Sequence, residues 1–450
     1  MNDLSLFLPC AAGVQDLLAA EVQGITATAP KAWRAGVALQ GSWRDALKLN
    51  LHSRLAQRVL VQLAQYAYRS EQDLYNAAAN VPWELWFTPR QTFKVEITAQ
   101  HSPLKSLNFA ALRIKDAVAD RFRAKAGDER PNVDTRFPDV RIYAHLRTDT
   151  VTLHIDTSGQ PLFKRGWRED KGDAPLKETL AAAMIAASGW VQDCRRGVPL
   201  YDPCCGSGTI VIEAAQIACH LAPGLQRRFA FEKYLPFQAH VWQGLKEEAR
   251  AAITAPTAPV FGSDVSFRMV DFAQRNAERA GVAHAVQLRG GDALQRPPPA
   301  PTGVMLLNPP YGERIAVAGV AAPGGGRRSP QRDAPASFSQ AVDEFGQPLP
   351  GQSAVRSGPG GREQARSETG QQVDDFFERL AAHWKKNFSG WSAHLLTPDL
   401  KLPGRMRLKE SRRVPMWNGP IECRLFRFDL VAGSLRKPSP SDLPNAGEPQ

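Results

Sequence analysis

The segment Val198-Pro199-Leu200-Tyr201-Asp202-Pro203-Cys204-Cys205-Gly206-Ser207-Gly208-Thr209 passes from an apolar strand, through a loop with two glycines, into a helix. Glycine lacks the Cβ that keeps a ligand at a distance, so Gly206 and Gly208 let the backbone come close and aim its amides. No lysine follows, so the loop is not G-x-x-x-x-G-K-[ST], which disfavours a nucleoside triphosphate; nor is it a complete G-x-G-x-x-G. An acid ahead of the glycines suits a ligand with a cationic amino-acid end, where a carboxylate orients an ammonium or neighbouring hydroxyls. The alternative is a plain tight turn, which the strand-loop-helix context disfavours.

Three further segments repeat this pattern of a strand ending in a polar tip. Val260-Phe261-Gly262-Ser263-Asp264 ends in an acid and precedes a helix running to Ala280. An acid at the second strand's tip holds ribose hydroxyls in nucleoside-binding sheets, although an inserted segment from about His220 to Pro259 stretches the usual interval. Val286-Gln287-Leu288 leads to Gly290-Gly291-Asp292-Ala293, with Asp292 placed to accept from an adenine amino group. Gly303-Val304-Met305-Leu306-Leu307 stops at Asn308-Pro309-Pro310-Tyr311. The prolines end the ladder and remove two donors, leaving an amide, rigid prolyl carbonyls and one ring. Those groups suit a planar base with an exocyclic amino group, and alone they read equally well as a packed Pro-Pro turn. Strands alternating with helices call for a parallel sheet, whose ligands bind at the strands' carboxyl ends. Asp202, Asp264, Asp292 and Asn308 are then four tips of one rim.

The 450 residues are enough for about three domains. A composition of 43% hydrophobic and 22% charged residues is that of a globular chain. The net charge of +11 favours a polyanionic partner, nucleic acid before an anionic membrane surface. The six cysteines form no C-x-x-C pair and the nine histidines no cluster with them, so a metal site is not expected and a reducing cytosol is. Leu4 to Pro9 is short and follows Asp3, which reads as a strand and not a leader. No window has the apolar length of a membrane span, and a cytoplasmic chain is expected.

Before the glycine loop the pattern is α+β. Leu4–Leu8 and Val37–Gln40 read as strands around a helix carrying Val14, Leu17, Leu18 and Val22. From about Trp43 to Asp156, helices are expected over Ala46–Asn50 and Phe109–Val118, and strands over Thr92–Ile97, Val140–Leu146 and Val151–Asp156. Lys105, Arg113, Lys115, Arg121, Arg123, Lys125, Arg136, Arg141 and Arg147 recur here. Singly each reads as a solvated face; beside Trp83, Trp86 and Phe137, taken as exposed, they could follow a phosphate backbone. Phe163-Lys164-Arg165-Gly166-Trp167-Arg168 is a basic, aromatic connector into a helix with Leu176, Leu180, Met184, Ile185 on one stripe. The Gly-, Pro-, Ser-, Gln- and Arg-rich stretch 316–370 reads as a disordered insertion. Val373, Phe376, Phe377, Leu380, Ala381, Trp384 and Phe388 then mark a helix face, Trp391–Leu396 a strand, and Asn418-Gly419 a hairpin turn between two more.

Asp202-Pro-Cys-Cys-Gly-Ser-Gly-Thr with Asn308-Pro-Pro-Tyr resembles the S-adenosyl-L-methionine-dependent amino methyltransferases. Leu162-Phe-Lys-Arg-Gly-Trp-Arg, Ala174-Pro-Leu-Lys-Glu-Thr-Leu-Ala-Ala-Ala and Asn308-Pro-Pro-Tyr-Gly-Glu-Arg narrow the likeness. Together they are similar to the bacterial 23S ribosomal RNA guanine-N2 methyltransferases that carry a THUMP domain. The resemblance implies an α/β chain with a Rossmann-like class I methyltransferase sheet after an α+β ferredoxin-like and THUMP RNA-binding region. It implies a ferredoxin-like part over 1–45, THUMP over 46–158, a linker over 159–175, the methyltransferase over 176–432 and a disordered tail over 433–450. By match to the family's motifs, Asp202, Cys204, Gly206, Gly208 and Asp264 would hold the cofactor's methionine and ribose parts. Asp292 would hold its adenine, with Thr179 a weaker candidate. Asn308, Pro309, Pro310 and Tyr311 would be catalytic, on 23S rRNA or a large-subunit precursor particle, with no metal and no membrane. An adenine-N6 methyltransferase of DNA or RNA and a non-catalytic ribosome-assembly factor are the competing readings.

Overall fold

The computed structural model describes residues 3–125, 127–172, 175–309 and 363–431, with the backbone alone over 363–374. Its first sheet contains β1 (Leu4–Pro9), β2 (Lys31–Trp33), β3 (Gly36–Gly41), β4 (Leu60–Ala67), β5 (Phe93–Ala99), β6 (Val140–Leu146) and β7 (Thr150–Asp156). The strand order is β2-β3-β1-β4-β7-β6-β5. With it come α1 (Gln15–Thr26), α2 (Trp43–His52), α3 (Glu71–Asn80) and α4 (Leu107–Lys125). Both α2 and α3 begin on a reciprocal cap, Ser42 with Asp45 and Ser70 with Asp73, which satisfies backbone donors at each helix start. β4 pairs antiparallel with β1 and with β7, so the ferredoxin-like residues and those that follow share one sheet. The boundary expected between residues 45 and 46 falls inside α2.

β2, β4 and α3 were not anticipated. β4 slips its register between Gln62 and Ala64, which breaks the period of two that marks a strand. Trp83 and Trp86 are also corrections: both are core residues, not surface ones. Trp83 is fully buried and its Nε1 donates to the Ala78 carbonyl at 2.8 Å, while Trp86 packs edge-on against Trp43. Phe137, 73% exposed beside Arg136, is the one of the three at the surface. Arg121 grips Glu84 with two nitrogens and Arg141 pairs with Glu96, whereas Lys105, Lys125, Arg136 and Arg147 are exposed.

The second half alternates as expected. Its elements are α5 (Glu178–Ser188), α6 (Trp190–Cys194), β8 (Leu200–Asp202), α7 (Thr209–Ala218), α8 (Ala239–Ala251), β9 (Val260–Asp264) and α9 (Phe267–Arg279). They continue with β10 (Val286–Gly290), β11 (Gly303–Leu307), α10 (Glu363–Asn387), β12 (Trp391–Thr397), α11 (Leu402–Arg405), β13 (Arg412–Asn418) and β14 (Ile421–Asp429). The strand order is β10-β9-β8-β11-β12-β14-β13, parallel through β12, with β14 antiparallel to both its neighbours. The order runs outward from β8 and then returns to β11 on the other side, which makes β8/β11 the switch point where a crevice opens. α10 begins at Glu363, inside the stretch expected to be an insertion; it buries Phe377, Leu380, Ala381 and Trp384, with Phe376 half-buried and Phe388 buried just after its end. Pro310, Tyr311 and most of 316–370 lie outside the described residues. The hairpin is shifted by one position: Asn418 pairs with Ile421, and Gly419, at φ +62°, opens a Gly419-Pro420 turn.

A buried ion cluster joins the two halves. Arg165, 2% exposed, donates from Nε to Glu213 Oε1 at 3.0 Å and from Nη2 to Oε2 at 3.3 Å. Its other bonds reach the Leu162 and Arg54 carbonyls at 2.9 and 2.8 Å. Arg54, on the loop after α2, reaches the same Glu213 at 3.3 Å and the Leu221 carbonyl at 2.6 Å. Removing one member of a buried ion cluster strands the others, at a cost of about 3–5 kcal/mol. Glu213→Ala is therefore expected to lower the unfolding free energy by that order, read as a lower urea midpoint at unchanged slope. A loss under roughly 1 kcal/mol would show that the junction does not depend on it.

Candidate active site

The sheet sets the rim. Asp202 ends β8 beside Gly262 of β9, and Asp264 ends β9 beside Gly290 of β10. Asp292 follows β10 by two residues. Met305 of β11 pairs with Tyr201, so Asn308 stands farther along the strand direction than Asp202. Each acid is held by local backbone. Asp202 Oδ1 accepts from Cys204 N at 3.0 Å, and Asp264 accepts from Gly206 N and Ser266 N, both at 2.9 Å. Asp292 Oδ1 accepts from Leu294 N at 2.9 Å. The Gly206 bond ties the glycine loop to the second strand tip. Gly208, at φ +90°, leads into α7, and a Cβ there would sit 2.9 Å from Ala273 of α9. Only glycine allows that backbone turn and that approach together.

The acids share one electrostatic environment. Burial pushes the Asp202 carboxyl up to about 8, and the neighbouring Asp264 charge adds to the rise. Asp264 is raised by burial as well. The Cys204 thiol lies well above its usual range, through burial and then the charges of Asp202, Asp264 and Asp292 together. A buried carboxyl pushed up in this way favours a cationic ligand, whose charge would offset the cost of ionising it. Tyr201, its hydroxyl 2.7 Å from Ser263 Oγ, braces β8 against β9 beneath the loop. At the fourth tip, Pro309 is buried and Asn308 Oδ1 is a buried acceptor that no donor among the described residues reaches. An unmet buried acceptor is costly, so this oxygen is suited to a donor brought by a ligand.

The structure thus brings together Asp202, Cys204, Gly206, Gly208, Asp264 and Asp292. Thr179, the weaker candidate, lines a cleft with Lys177, Trp417, Ala11 and Leu55. Two residues at the rim were missed. Asn276 of α9 donates from Nδ2 to the Ser207 carbonyl at 3.0 Å and to the Asp170 carbonyl at 2.8 Å. An amide inside an otherwise ordinary helix gives no local signal of that role. Phe267, 79% exposed, lies over Gly290 between the second and third tips, where a Cβ would come within 2.4 Å of its ring. An aromatic residue opening a helix just after a strand-tip acid was a legible sign.

Residues 5–60 match the RlmL ferredoxin-like domain, 68–156 the THUMP domain and 165–321 the RMKL-like methyltransferase domain. The chain therefore contains a THUMP domain and an RMKL-like methyltransferase domain. It is 35% identical over 434 residues to the ribosomal RNA large subunit methyltransferase K/L of Psychromonas ingrahamii, covering 95% of this chain and 50% of that one. The enzyme of the same name from Shewanella pealeana is 34% identical over 450 residues, covering 99% and 55%. The chain therefore spans about half the length of the curated relatives it matches. Among solved structures it is similar to the putative methyltransferase SMU.472, solved with SAH, at TM-score 0.76 and 24% identity over 96% of this chain and all of that one. A predicted N6-adenine-specific DNA methylase from Listeria monocytogenes gives TM-score 0.75 at 24% identity, covering 95% and 96%. These two likenesses establish the class I methyltransferase fold beside the N-terminal sheet.

The buried carboxyl carries a pH signature. Between pH about 4 and 8 the native chain holds a proton on Asp202 that the unfolded chain releases, so unliganded stability falls as pH rises through that window. Asp202→Asn removes the ionisation. The variant is expected to melt above wild type at pH 8.5, by an amount that vanishes near pH 4, while binding a cationic ligand more weakly. Parallel melting curves across pH with no such divergence would refute the coupling.

Proposed function

We propose that the chain transfers a methyl group from S-adenosyl-L-methionine to the exocyclic N2 of a guanine in 23S rRNA, within the cytoplasm. The observation that carries this reading is the buried acceptor Asn308 Oδ1, unmet among the described residues and one strand away from the buried Asp202 and the half-buried Asp264. The methyltransferase-domain and THUMP matches support an RNA substrate, as do the names of the relatives.

The residues present fit the cofactor. The glycine loop leaves room for a close ligand, and Asp202 and Asp264 offer carboxylates to a cationic amino-acid end and to ribose hydroxyls. Asp292 offers an acceptor to an adenine amino group. When bound, S-adenosyl-L-methionine supplies a methyl group made electrophilic by its sulfonium. A guanine amino group is a poor nucleophile because its lone pair is delocalised into the ring. Asn308 Oδ1 and the Pro309 carbonyl accept its N–H bonds, favouring a pyramidal nitrogen and stabilising the positive charge that develops there, until the methylated nitrogen loses one of those protons to solvent. The flanking prolines hold that carbonyl in place without reorganisation, and alignment of the base lowers the barrier further. By its place in the sequence motif, Tyr311 supplies the aromatic ring suited to stacking on a base drawn out of its helix or loop. The substrate is 23S rRNA or a large-subunit precursor particle.

The rival is an adenine-N6 transfer to DNA, which the same tip chemistry could serve. An N-terminal half with a THUMP match favours RNA. Labelled methyl transfer to undermodified 23S rRNA, with duplex DNA in parallel and nucleoside mass spectrometry of the product, separates the two. N2-methylguanine in RNA alone is expected. Asn308→Ala is expected to lower kcat by about 100-fold or more, the scale of removing one preorganised partner of a transition state, with cofactor affinity retained. Full activity in that variant would falsify the role of the tip, and a variant that is inactive yet supports ribosome assembly would favour a non-catalytic role.

A further inference from the structure

We propose that Arg168 is a positioning residue for the cofactor loop, holding Gly206–Thr209 in its binding shape by bridging it to the start of α5. The proposal rests on the reading of that loop as the S-adenosyl-L-methionine site. Arg168 belongs to the connector between the two sheets, and all three nitrogens of its guanidinium are used. Nε donates to Glu178 Oε1 at 2.9 Å, Nη1 to Ser207 Oγ at 3.2 Å, and Nη2 to Thr209 Oγ1 at 2.8 Å and the Leu176 carbonyl at 3.1 Å. The side chains of Arg168 and Glu178 are 12% and 4% exposed, so these charged hydrogen bonds are sheltered from competing water. The Trp167 ring lies 5.1 Å from the guanidinium carbon and limits its movement.

The loop needs such a brace. Gly206 and Gly208 both have positive φ and carry no side chain that could lock them. Between them and α7, the hydroxyls of Ser207 and Thr209 are the polar side-chain handles, and both are taken by Arg168. On the opposite side, Asn276 holds the Ser207 carbonyl. The loop is therefore pinned from the connector and from α9. A lysine ammonium cannot reproduce the planar fork that meets four acceptors at once. Glu178 offsets the arginine charge, so the brace adds shape to the loop without adding net repulsion against a cationic ligand. Among the described residues no hydrogen bond joins Arg168 to Asp202, Asp264, Asp292 or Asn308. Its effect is thus on cofactor affinity, not on the transfer step or on RNA binding.

The test uses Arg168→Lys in the full chain, with calorimetric Kd for S-adenosyl-L-methionine and SAH, steady-state kcat and KM, and RNA affinity. Loss of charge-assisted hydrogen bonds of this kind corresponds to about 10- to 100-fold, so cofactor Kd and KM are expected to rise by that factor. kcat at saturating cofactor and RNA affinity are expected to stay at wild-type values. A double variant, Ser207→Ala with Thr209→Val, removes the loop hydroxyls while keeping the Arg168–Glu178 pair. It is expected to reproduce the loss, and to add nothing when combined with Arg168→Lys. Wild-type cofactor affinity in the double variant overturns the role, as does a fall in cofactor and RNA affinity together in Arg168→Lys. If the wild-type chain itself binds neither ligand, the reading of the site fails and this role with it; if wild type binds and the variants bind equally, the role alone fails.

Discussion

Glu213 is buried between two arginines from different parts of the chain, Arg165 of the connector and Arg54 of the N-terminal sheet's loops. A lone buried carboxylate would be expelled or protonated; with two guanidiniums and their carbonyl partners around it, the charge is matched and hydrogen-bonded. Glu213 also lies on α7, the helix that the glycine loop opens into. The residue that seals the junction between the two sheets therefore sits on the element that the glycine loop opens into. The connector continues the attachment: Arg168 reaches Ser207 and Thr209, and Asp170 meets Arg275 and Arg279 of α9. Seating the N-terminal half and shaping the loop are one packing problem in this protein.

At the rim the electrostatics run against stability. Asp202 is buried with the half-buried Asp264 near it, and their principal partners are backbone amides, not cations. Proteins keep such arrangements where function needs them and recover the stability elsewhere. Here the compensation is the apolar interior: β11 is buried along its whole length, and Tyr201 stacks against Phe388 and meets Trp391 edge-on under the tips. A rigid base keeps the acids where their charge is useful to a cationic ligand. The Asn308 oxygen follows the same logic: it is a buried acceptor that no donor among the described residues reaches, and an acceptor of that kind is one that a ligand's N–H can satisfy.

The parallel sheet, its four polar tips and the closing hairpin were legible because each rests on local chemistry. Apolar runs give strands, glycines and prolines end them, and an acid or amide at the last position marks the tip whatever surrounds it. What escaped was set by distant partners. β4 hides its period behind a register slip and is placed by β1 and β7. Trp83 and Trp86 look like surface aromatics beside arginines until α2 and α4 close over them. The turn at Gly419-Pro420 is one residue from its sequence signal, because the pairing of Asn418 with Ile421 outweighs the usual preference. The basic run at 164–168 reads as charge; that Arg165 is buried and Arg168 half-buried in ion pairs depends on Glu213, Glu178 and the loop hydroxyls arriving from elsewhere. By itself the sequence determined which side chains stand at the ends of the strands, since backbone periodicity is a local property. The tertiary structure alone decided which charges are buried together and which arginines hold the loop, because burial and pairing are properties of contacts between segments far apart in the chain.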